Sequence, residues 1–372
     1  MAQHVLITGG AGFIGSHVAD ELLSHGYRVR ALDTLASQVH GERPRRPNYL
    51  DPEVELMQGD VCDPAIVRKA LEGVDAVYHF ASAVGVGQSM YQVAHYTRAN
   101  NLGTAVLLEA LIERPVAQLL VASSMSVYGE GLYRTREGEV RVVGERSFDQ
   151  LRRGDWELHD AEGHVLSPAP TPEDKPPALA SVYALSKFDQ ERMCLMIGRA
   201  FGFKTVGLRF FNAYGPRQAL SNPYTGVLAI FASRLLNDSP PLIFEDGQQQ
   251  RDFVSVYDIA RACRLALETP AAAGEVFNVG SGKPSSVVEI ARRLAEVVGK
   301  EHVHPEVTGK YRVGDIRHCY ADIRRAREVL GYEPQVDLQE GLSELAAWLE
   351  GQAAVDHVVR ARDELTARGL AL

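Results

Sequence analysis

A glycine-spaced turn between a strand and a helix constrains the fold of this chain more than any other sequence feature. The apolar run His4–Thr8 leads into glycines at positions 9, 12 and 15, and the helical pattern Phe13–Ser24 overlaps the end of the turn. We expect Gly9 to allow the tight turn, Gly12 to let backbone N–H groups approach a pyrophosphate, and Gly15 to let the helix pack against the strand. The helix amino terminus then faces the phosphates with its positive dipole end. The turn therefore predicts a dinucleotide-binding site.

An acidic residue at the end of the second strand indicates which dinucleotide is bound. Asp33 lies 18 residues after Gly15 and ends the apolar run Tyr27–Asp33. A carboxylate there accepts hydrogen bonds from the adenosine ribose hydroxyls and repels a 2′-phosphate, so NAD is favoured over NADP. Arg28 and Arg30 precede Asp33 and could weaken this preference for NAD.

The first half of the chain alternates short apolar strands with helical patterns, which is typical of βαβ units and a parallel sheet. The strands are near-continuous apolar runs, as expected for a sheet covered on both faces. Further strand patterns occur at Val54–Met57, Ala76–Phe80, Leu119–Ala122, Val206–Phe211 and Val276–Val279. Further helical patterns occur at Ala65–Leu71, Tyr96–Arg114, Val182–Phe201, Val227–Leu236, Val256–Glu268, Val287–Val298 and Leu338–Leu349, with a final helix at Val355–Leu365. The pattern predicts an α/β, Rossmann-like, doubly wound parallel sheet.

The predicted domain organisation is a cofactor domain followed by a smaller substrate-binding domain. Residues 1–208 form the first, which also receives residues 252–280, and residues 209–372 mainly form the second. Residues 130–177 are charged and end in a proline-rich run, so they are interpreted as a long insertion. A loop of this length is usually functional or disordered, and we favour a lid or an excursion on the substrate side.

Composition excludes several function classes. The 372 residues carry a net charge of −9, and the densest basic cluster, Arg43–Arg46, is interrupted by proline and interpreted as a solvated loop. No nucleic-acid partner is therefore expected. The four cysteines are scattered without a CxxC pair, so neither a disulfide framework nor a metal site is predicted. The chain shows no signal peptide and no run of about 20 apolar residues, so no membrane partner and a cytoplasmic location are expected.

A tyrosine and a lysine four residues apart provide a candidate catalytic pair. Tyr183 and Lys187 would lie one turn apart on one helix face. A phenol has a pKa of about 10, too high for a base near neutral pH. A neighbouring ammonium and an oxidised nicotinamide both favour the phenolate, and the lysine can also bind the nicotinamide ribose. Such a pair is a weak signal by itself, and it indicates a catalytic site only in combination with the glycine turn.

Together these motifs resemble those of the extended short-chain dehydrogenase/reductases, the NAD-dependent sugar epimerase/dehydratase family. The resemblance runs from about residue 2 to about residue 349. It is carried by Thr8–His17, Asp60-Val61, His79-Phe80-Ala81, Asn100, Ser123–Gly129, Tyr183–Lys187, Arg209–Pro216, Arg251-Asp252-Phe253 and Arg312–Asp315. It implies NAD as cofactor and a nucleotide-diphosphate sugar as substrate.

The resemblance also assigns expected roles to individual residues. Asp60 and Val61 are expected beside the adenine. The other expected cofactor contacts are Gly9, Gly12, Phe13, Ile14, Gly15, Asp33, Phe80, Ala81, Asn100, Tyr183, Lys187 and Phe211. The expected substrate contacts are Ser124, Asn212, Arg251, Arg312 and Asp315, because guanidinium groups bind phosphates and a carboxylate accepts from a ribose diol. The loop Val84–Met90 is expected to border the hexose, with Arg217 and Gln218 as weaker pocket candidates.

The residues after Ser124 separate the reactions of this family. Ser124 takes the position of the family's catalytic Ser/Thr, which hydrogen-bonds the sugar 4-hydroxyl. Relatives that dehydrate sugars have Asp and Glu at the next two positions, and relatives that decarboxylate have Glu at the second. This chain has Met125 and Ser126, neither of which is a proton acceptor of useful pKa. We therefore expect 4-epimerisation with Ser124, Tyr183 and Lys187 as catalytic residues.

Three alternatives remain open at this stage. The chain could be a reductase that consumes NADH on a 4-keto sugar, a 4,6-dehydratase whose acid and base come from another segment, or a non-catalytic NAD sensor. The insertion and the run Ser124–Gly131 look like those of bacterial dTDP-L-rhamnose 4-epimerases and related nucleotide-sugar 4-epimerases. The resemblance also implies a homodimer built on the helices Tyr96–Arg114 and Val182–Phe201.

Overall fold

A computed structural model describes residues 3–42, 45–312 and 314–371. Arg43 and Pro44 of the predicted solvated loop lie outside the described residues. The strands are β1 (His4–Thr8), β2 (Arg28–Asp33), β3 (Glu55–Gln58), β4 (Ala76–His79), β5 (Gln118–Ser124), β6 (Leu132–Arg134), β7 (Val140–Val142), β8 (Ser167–Ala169), β9 (Lys204–Phe210), β10 (Asn212–Tyr214), β11 (Leu242–Ile243), β12 (Gln250–Ser255), β13 (Val276–Val279), β14 (Pro284–Ser286), β15 (Glu306–Val307) and β16 (His318–Cys319).

The helices include every helical pattern named above, with small shifts at their ends and one interruption within the predicted helix Tyr96–Arg114. They are α1 (Phe13–Ser24), α2 (Ser37–His40), α3 (Pro64–Ala70), α4 (Val86–Ser89), α5 (Val93–Tyr96), α6 (Gly103–Glu113), α7 (Phe148–Arg152), α8 (Val182–Phe201), α9 (Val227–Leu236), α10 (Val256–Glu268), α11 (Val287–Val297), α12 (Arg324–Leu330), α13 (Leu338–Leu349) and α14 (Val358–Ala367). Among the described residues, no helix combines the length and apolar character needed to span a membrane.

Seven parallel strands form the central sheet, in the order β13-β9-β5-β4-β1-β2-β3. The predicted doubly wound parallel sheet is confirmed. The chain leaves β1 toward β2 on one side and later returns to β4 on the other side. Parallel sheets of this kind bind ligands at such a switch point, beyond the carboxyl ends of the strands. The carboxyl ends of β1 and β4 therefore mark the cofactor site.

Helices cover both faces of this sheet because successive strand residues point to opposite sides. Val5 and Ile7 pack in the cluster that includes residues of α1 and α10, whereas Leu6 packs with residues of α3, α6 and α8. All three strand side chains are fully buried. Each contributes roughly 1.5–3 kcal/mol of stability through burial.

A second, smaller unit follows β9. β10 and β12 pair in parallel, while β14 and β16 pair with β12. Its separate core contains Phe231 of α9, Ile290 of α11 and Leu345 of α13, all almost fully buried. The structure thus contains the expected smaller carboxyl-terminal region, while the boundary after residue 208 stays a prediction.

The predicted helix Tyr96–Arg114 is interrupted. Residues Thr97–Leu102 form a π-helical turn between α5 and α6. The prediction of one regular helix was therefore wrong at this turn. A π-bulge often marks a functional position, and this one contains the predicted cofactor residue Asn100.

The insertion 130–177 has secondary structure of its own. β6 lies between β7 and β8 in a three-stranded antiparallel sheet, and α7 follows β7. Tyr133, Leu158 and Leu166 form a small buried cluster beneath it. The interpretation of this segment as a long loop was therefore wrong, and its role as a lid stays a prediction.

Candidate active site

The three motif glycines each have a steric reason to lack a side chain. Gly9 has φ +72°, and a Cβ there would lie 3.0 Å from the Ala81 nitrogen. A Cβ on Gly15 would lie 2.4 Å from the Gly9 carbonyl oxygen. Gly12 differs, because among described atoms its Cβ would meet only the Gly9 oxygen, at 3.3 Å. The space beyond Gly12 is open, which suits a pyrophosphate approaching the backbone.

The start of α1 fits an anionic ligand. Gly12 is the N-cap, and within the described residues the first turn has neither a capping side chain nor an acidic residue. Phe13 and Ile14 open this turn and are partly buried. The free N–H groups and the helix dipole therefore remain available for the phosphates of NAD.

Asp33 is held in place by the backbone around it. Its two carboxylate oxygens accept hydrogen bonds from the Ala11 nitrogen at 3.0 Å and the Leu35 nitrogen at 2.9 Å. His40 Nε2 lies 3.8 Å from the carboxylate, and burial lowers the pKa of His40. Asp33 therefore presents a fixed carboxylate at the end of β2, as expected for a group that binds a ribose diol.

Arg30 does not offset the charge of Asp33. Its guanidinium donates to the Glu55 carboxylate at 2.8 Å and to the carbonyl oxygens of Ala70 and Glu72. The possibility that this arginine favours a 2′-phosphate therefore finds no support in its contacts.

The remaining predicted cofactor residues follow β3, β4 and β9. Asp60 accepts a hydrogen bond from the Cys62 nitrogen at 2.8 Å, and Val61 is buried beside Gly103. The nitrogens of Phe80 and Ala81 donate to the Thr8 hydroxyl. These contacts fix the loop after β4 against the glycine turn.

Two further predicted residues have structural contacts of their own. Asn100 is fully buried, and its amide exchanges hydrogen bonds with Ala83 while also donating to Ser186 Oγ at 2.8 Å. It joins the loop after β4 to α8. Phe211 is buried with its ring 6.2 Å from that of Tyr128.

Ser124, Tyr183 and Lys187 converge where β5 ends and α8 begins. Ser181 caps α8, so Tyr183 and Lys187 lie in its first two turns. Burial raises the pKa of Tyr183, and the interaction with Ser124 offsets only part of this rise. The Ser124 oxygen accepts from Ser126 N at 3.2 Å and Ser126 Oγ at 3.0 Å, which leaves its own proton for the phenol.

Lys187 is held by a residue that the motif did not reveal. Its Nζ donates to Gln190 Oε1 at 2.8 Å, and the two side chains are 3 % and 0 % exposed. The Gln190 amide nitrogen donates to Thr104 Oγ1 at 2.9 Å, which fixes its orientation. Burial lowers the pKa of Lys187 to about 7. The i,i+3 spacing from Lys187 is the one sequence signal that could have pointed to Gln190.

A neutral histidine, His79, extends this hydrogen-bond network. His79 is fully buried, and burial lowers its pKa to about 3. The Thr8 oxygen already accepts from Phe80 and Ala81, so its proton is assigned to His79 Nδ1, at 2.9 Å. His79 Nε2 then donates to Thr104 Oγ1 at 2.8 Å. The network beside Lys187 is therefore uncharged.

The predicted substrate residues also come together. Asp315 accepts from Arg312 at 2.9 Å and lies 3.9 Å from Arg251. Burial raises the pKa of Asp315, but the two arginines lower it below its ordinary value. Arg251 also donates to the carbonyl oxygens of Ile316 and Arg317. The buried Asn212 Oδ1 has no partner among the described residues, as expected for an atom that awaits a ligand donor.

A buried ionic cluster beside these residues was not predicted. Arg317 is fully buried and donates to Glu245 at 2.9 Å, Asp246 at 2.7 Å and Glu157 at 2.5 Å. Arg146 of the insertion pairs with Glu245 at 2.9 Å. Arg146 also donates to the Asp315 carbonyl oxygen at 3.1 Å, which joins the insertion to the Arg312–Asp315 segment, and no local sequence pattern reveals this connection.

The weaker pocket candidates Arg217 and Gln218 lie in a different place from the loop 84–90. Arg217 pairs with Asp20 of α1 at 2.7 Å, and Gln218 lies against the Ala213 carbonyl oxygen. In the loop 84–90, Ser89 Oγ accepts from the Tyr183 nitrogen at 3.0 Å. The loop therefore borders the catalytic residues, whereas Arg217 contacts the cofactor side.

Most of this chain matches one known protein family. The model of the NAD dependent epimerase/dehydratase family matches residues 5–146 and 161–280. The chain belongs to this family. The match leaves out residues 147–160 of the insertion and everything after residue 280.

Similar proteins include several nucleotide-sugar 4-epimerases. A dTDP-L-rhamnose 4-epimerase of Burkholderia thailandensis is 34% identical over 93% of this chain and 95% of its own. The structure of the Thermotoga maritima UDP-glucose 4-epimerase with UDP-glucose has a TM-score of 0.76 and 31% identity, covering 94% of this chain and 99% of that one. The Thermus thermophilus UDP-glucose 4-epimerase in complex with NAD has a TM-score of 0.74 and 30% identity, covering 94% and 100%.

Proposed function

We infer that this protein is an NAD-dependent 4-epimerase of a nucleotide-diphosphate sugar. The observation that carries this conclusion is the convergence of Ser124, Tyr183 and Lys187 beside a glycine turn that fits NAD. The positions that carry acids in dehydrating and decarboxylating relatives hold Met125 and Ser126, each 8% exposed. Neither side chain can remove a C5 proton, so simple epimerisation is favoured.

Tyr183 is the proposed acid and base for the sugar 4-hydroxyl. Its phenolate oxygen accepts the proton of the sugar 4-hydroxyl, and the resulting phenol returns that proton after the sugar has rotated in the pocket. NAD held by the glycine turn and Asp33 would supply reversible hydride acceptance at C4 of the sugar. Ser124 orients the sugar hydroxyl, and Lys187 stabilises the phenolate through its charge.

The substrate end is proposed to lie against the smaller unit. Arg251 and Arg312 bind the phosphates, Asp315 accepts from the nucleoside ribose, and Asn212 uses its free Oδ1 for a donor on the ligand. We propose a dTDP- or UDP-linked hexose as the substrate class, following the named substrates of the similar epimerases.

The test combines a substrate panel with one conservative variant. NAD-loaded protein is incubated with dTDP-L-rhamnose, UDP-glucose and UDP-glucuronate, and the C4 configuration is read by NMR. Tyr183→Phe should abolish turnover while NAD stays bound, and the surface control Tyr27→Phe should keep full activity. A fully active Tyr183→Phe would falsify the assignment. Stoichiometric consumption of added NADH would instead indicate a 4-keto-sugar reductase.

A homodimer is proposed from the surface of the two helices named above. Leu102, Leu185, Met196 and Phe201 are 44–49% exposed and lie on the π-turn and α8. Exposed apolar side chains on adjacent helices favour association. Light scattering should give twice the monomer mass, and Met196→Glu should lower it. A monomeric wild-type protein would remove the proposal. The cytoplasmic location stays a prediction.

A further inference from the structure

The carboxyl-terminal segment, residues 355–371, lies beyond the family match and is anchored to the body of the protein. The Val355 nitrogen donates to Ser221 Oγ at 3.0 Å, and Asp356 pairs with the buried Arg234 at 2.8 Å. The side chains of Leu365 and Ala371 are 6% and 1% exposed. The segment therefore occupies a definite position.

One part of this segment packs on the loop 84–90, which borders Tyr183. A Cβ on Gly87 would lie 3.2 Å from the Leu365 side chain. In the same loop, a Cβ on Gly85 would lie 2.9 Å from Tyr224 Cβ and 2.9 Å from the Tyr96 hydroxyl. The rings of Tyr96 and Tyr183 meet edge to face, 6.5 Å apart. The segment thus lies within a few side chains of the proposed reaction centre.

Glu364 closes a cluster of hydroxyls at this position. Its Oε2 lies 3.1 Å from the Tyr91 hydroxyl and 3.2 Å from the Tyr224 hydroxyl, and the two hydroxyls are 2.6 Å apart. Two phenol protons cannot satisfy three such contacts at once. Oε1 of Glu364 faces Arg360 Nε at 3.4 Å. When one tyrosine donates to the other, Oε2 keeps an acceptor position free for a donor from outside the cluster.

The other end of the segment reaches the proposed phosphate-binding residues. Ala371 forms an antiparallel bridge with Arg312, whose side chain also lies over the Phe244 ring at 4.7 Å. Ala371 lies only six positions after Leu365, which contacts the loop 84–90. The segment therefore runs from the sugar side of the proposed site to its diphosphate side.

We propose that residues 355–371 form the outer wall of the nucleotide-sugar site and that Glu364 accepts a hydrogen bond from a hydroxyl of the sugar. The proposal rests on the proposed function, because that function places the hexose beside the loop 84–90 and the phosphates beside Arg312. Glu364 is then a specificity-determining residue, since a carboxylate paired with two phenols selects for a hydroxyl donor.

The experiment measures binding, so that it does not depend on turnover. Calorimetry gives the Kd of NAD-loaded protein for UDP-glucose and UDP, and for dTDP-L-rhamnose and dTDP. Glu364→Gln should weaken binding of the nucleotide sugar about tenfold, because a charge-assisted hydrogen bond to the carboxylate becomes a neutral one to the amide oxygen. It should leave the Kd of the free nucleotide unchanged. The neighbouring exposed Asp363→Asn is the matched control.

A shortened chain tests the wall as a whole. A protein that ends at His357 keeps the ion pair between Asp356 and Arg234, and it should bind both nucleotide sugars at least tenfold more weakly than the full chain while retaining NAD. In the full chain, either nucleotide sugar should slow amide hydrogen exchange in residues 358–371.

Two results separate this proposal from the proposed function. The proposal for residues 355–371 is overturned by two results together. Glu364→Gln would leave the ratio of nucleotide-sugar to nucleotide affinity unchanged, and the shortened chain would bind the nucleotide sugars as tightly as the full chain. If the shortened chain does not fold, the Glu364→Gln ratio alone decides. Tight, Glu364-dependent binding without any change at C4 would instead refute the epimerase and leave the wall standing.

Discussion

Replacing Gln190 by methionine removes the one hydrogen bond that the structure gives to the Lys187 ammonium. Lys187 Nζ donates to Gln190 Oε1 at 2.8 Å, and both side chains are buried. Methionine has the same length and no comparable acceptor, so the packing is retained while the contact is lost. A hydrogen bond to a charged group contributes about 1.5–3 kcal/mol. Because one pH unit corresponds to about 1.4 kcal/mol, the pKa of Lys187 should fall by about one to two.

The sign of the effect on activity follows from the role of the charge. Burial already lowers the pKa of Lys187 to about 7, so the variant would hold mostly the neutral amine at neutral pH. A neutral amine gives the Tyr183 phenolate no electrostatic support. As pH rises, the variant should therefore lose activity with a midpoint at lower pH than the wild-type protein. At pH 7 the kcat should fall about tenfold, as expected when the pKa of Lys187 falls by about one to two.

The other ionisable groups that face Lys187 do not obscure this prediction. Glu191 is paired with Arg209 at 2.8 Å, His79 is neutral because burial lowers its pKa to about 3, and burial raises the pKa of Cys194 to about 12. Within the neutral pH range His79 and Cys194 therefore keep their charge state. The alkaline limb of the profile then reports Lys187.

The assay is the pH profile of kcat for whichever nucleotide sugar the wild-type protein converts, with Gln190→Met and Gln190→Glu side by side. The glutamate keeps an acceptor and adds a negative charge, so its alkaline limb should move to higher pH. Arg199→Gln, an exposed change on the same helix, should leave the limb in place. If Gln190→Met shows the wild-type limb, Gln190 does not position Lys187 and the reasoning fails.

Four further changes follow from single contacts. Lys187→Met should stabilise the apo-protein by about 5 kcal/mol below pH 7, because burial lowers the pKa of Lys187 from 10.5 to about 7. This gain, measured by urea unfolding, should shrink as pH rises from about 7 toward 10.5; a gain that does not change with pH would contradict it. Gly15→Ala should abolish NAD retention and lower the Tm, since its Cβ would lie 2.4 Å from the Gly9 oxygen. Asp33→Ser should weaken NAD binding about tenfold and remove discrimination against NADP in fluorescence titrations, whereas retained discrimination would show that Asp33 does not select the cofactor. Glu245→Gln should cost about 3 kcal/mol of unfolding free energy, because it leaves buried arginines less well paired; a change below 1 kcal/mol would show the cluster to be solvated.

The regular elements were predictable because their signals are local. The pattern for α8 gave the observed range Val182–Phe201, and its ends coincide with the cap Ser181 and with Gly202 in the left-handed region at φ +80°. The same holds for α1, where the glycine turn sets the start. Caps and apolar periodicity lie within a few residues of the element that they define.

The π-turn was not predictable because distant partners create it. Asn100 bonds to Ala83 in the loop after β4 and to Ser186 on α8, which is 86 residues away. Nothing between Thr97 and Leu102 breaks the helical pattern. Tertiary hydrogen bonds override the local preference here.

The insertion was misread as a loop for the same reason. Its high charge is typical of a solvated segment, yet Arg146 and Glu157 are neutralised by Glu245 and Arg317 of the smaller unit. A sequence shows that charges exist and does not show which of them meet. The catalytic residues were found because their motif is local, whereas Gln190 and Glu364 depend on contacts made by folding.

Backbone strain supplies an independent indication of where function lies. In the described residues, four non-glycine positions have positive φ: Leu35, Arg217, Asp238 and Glu245. Asp238 needs little explanation, because aspartate tolerates this region. The other three each serve a contact: the Leu35 nitrogen donates to Asp33, Arg217 pairs with Asp20, and Glu245 joins two buried arginines. Each costs roughly 1–3 kcal/mol that glycine would avoid. Since all three border the proposed cofactor and substrate sites, the strain is retained where it orients a functional side chain.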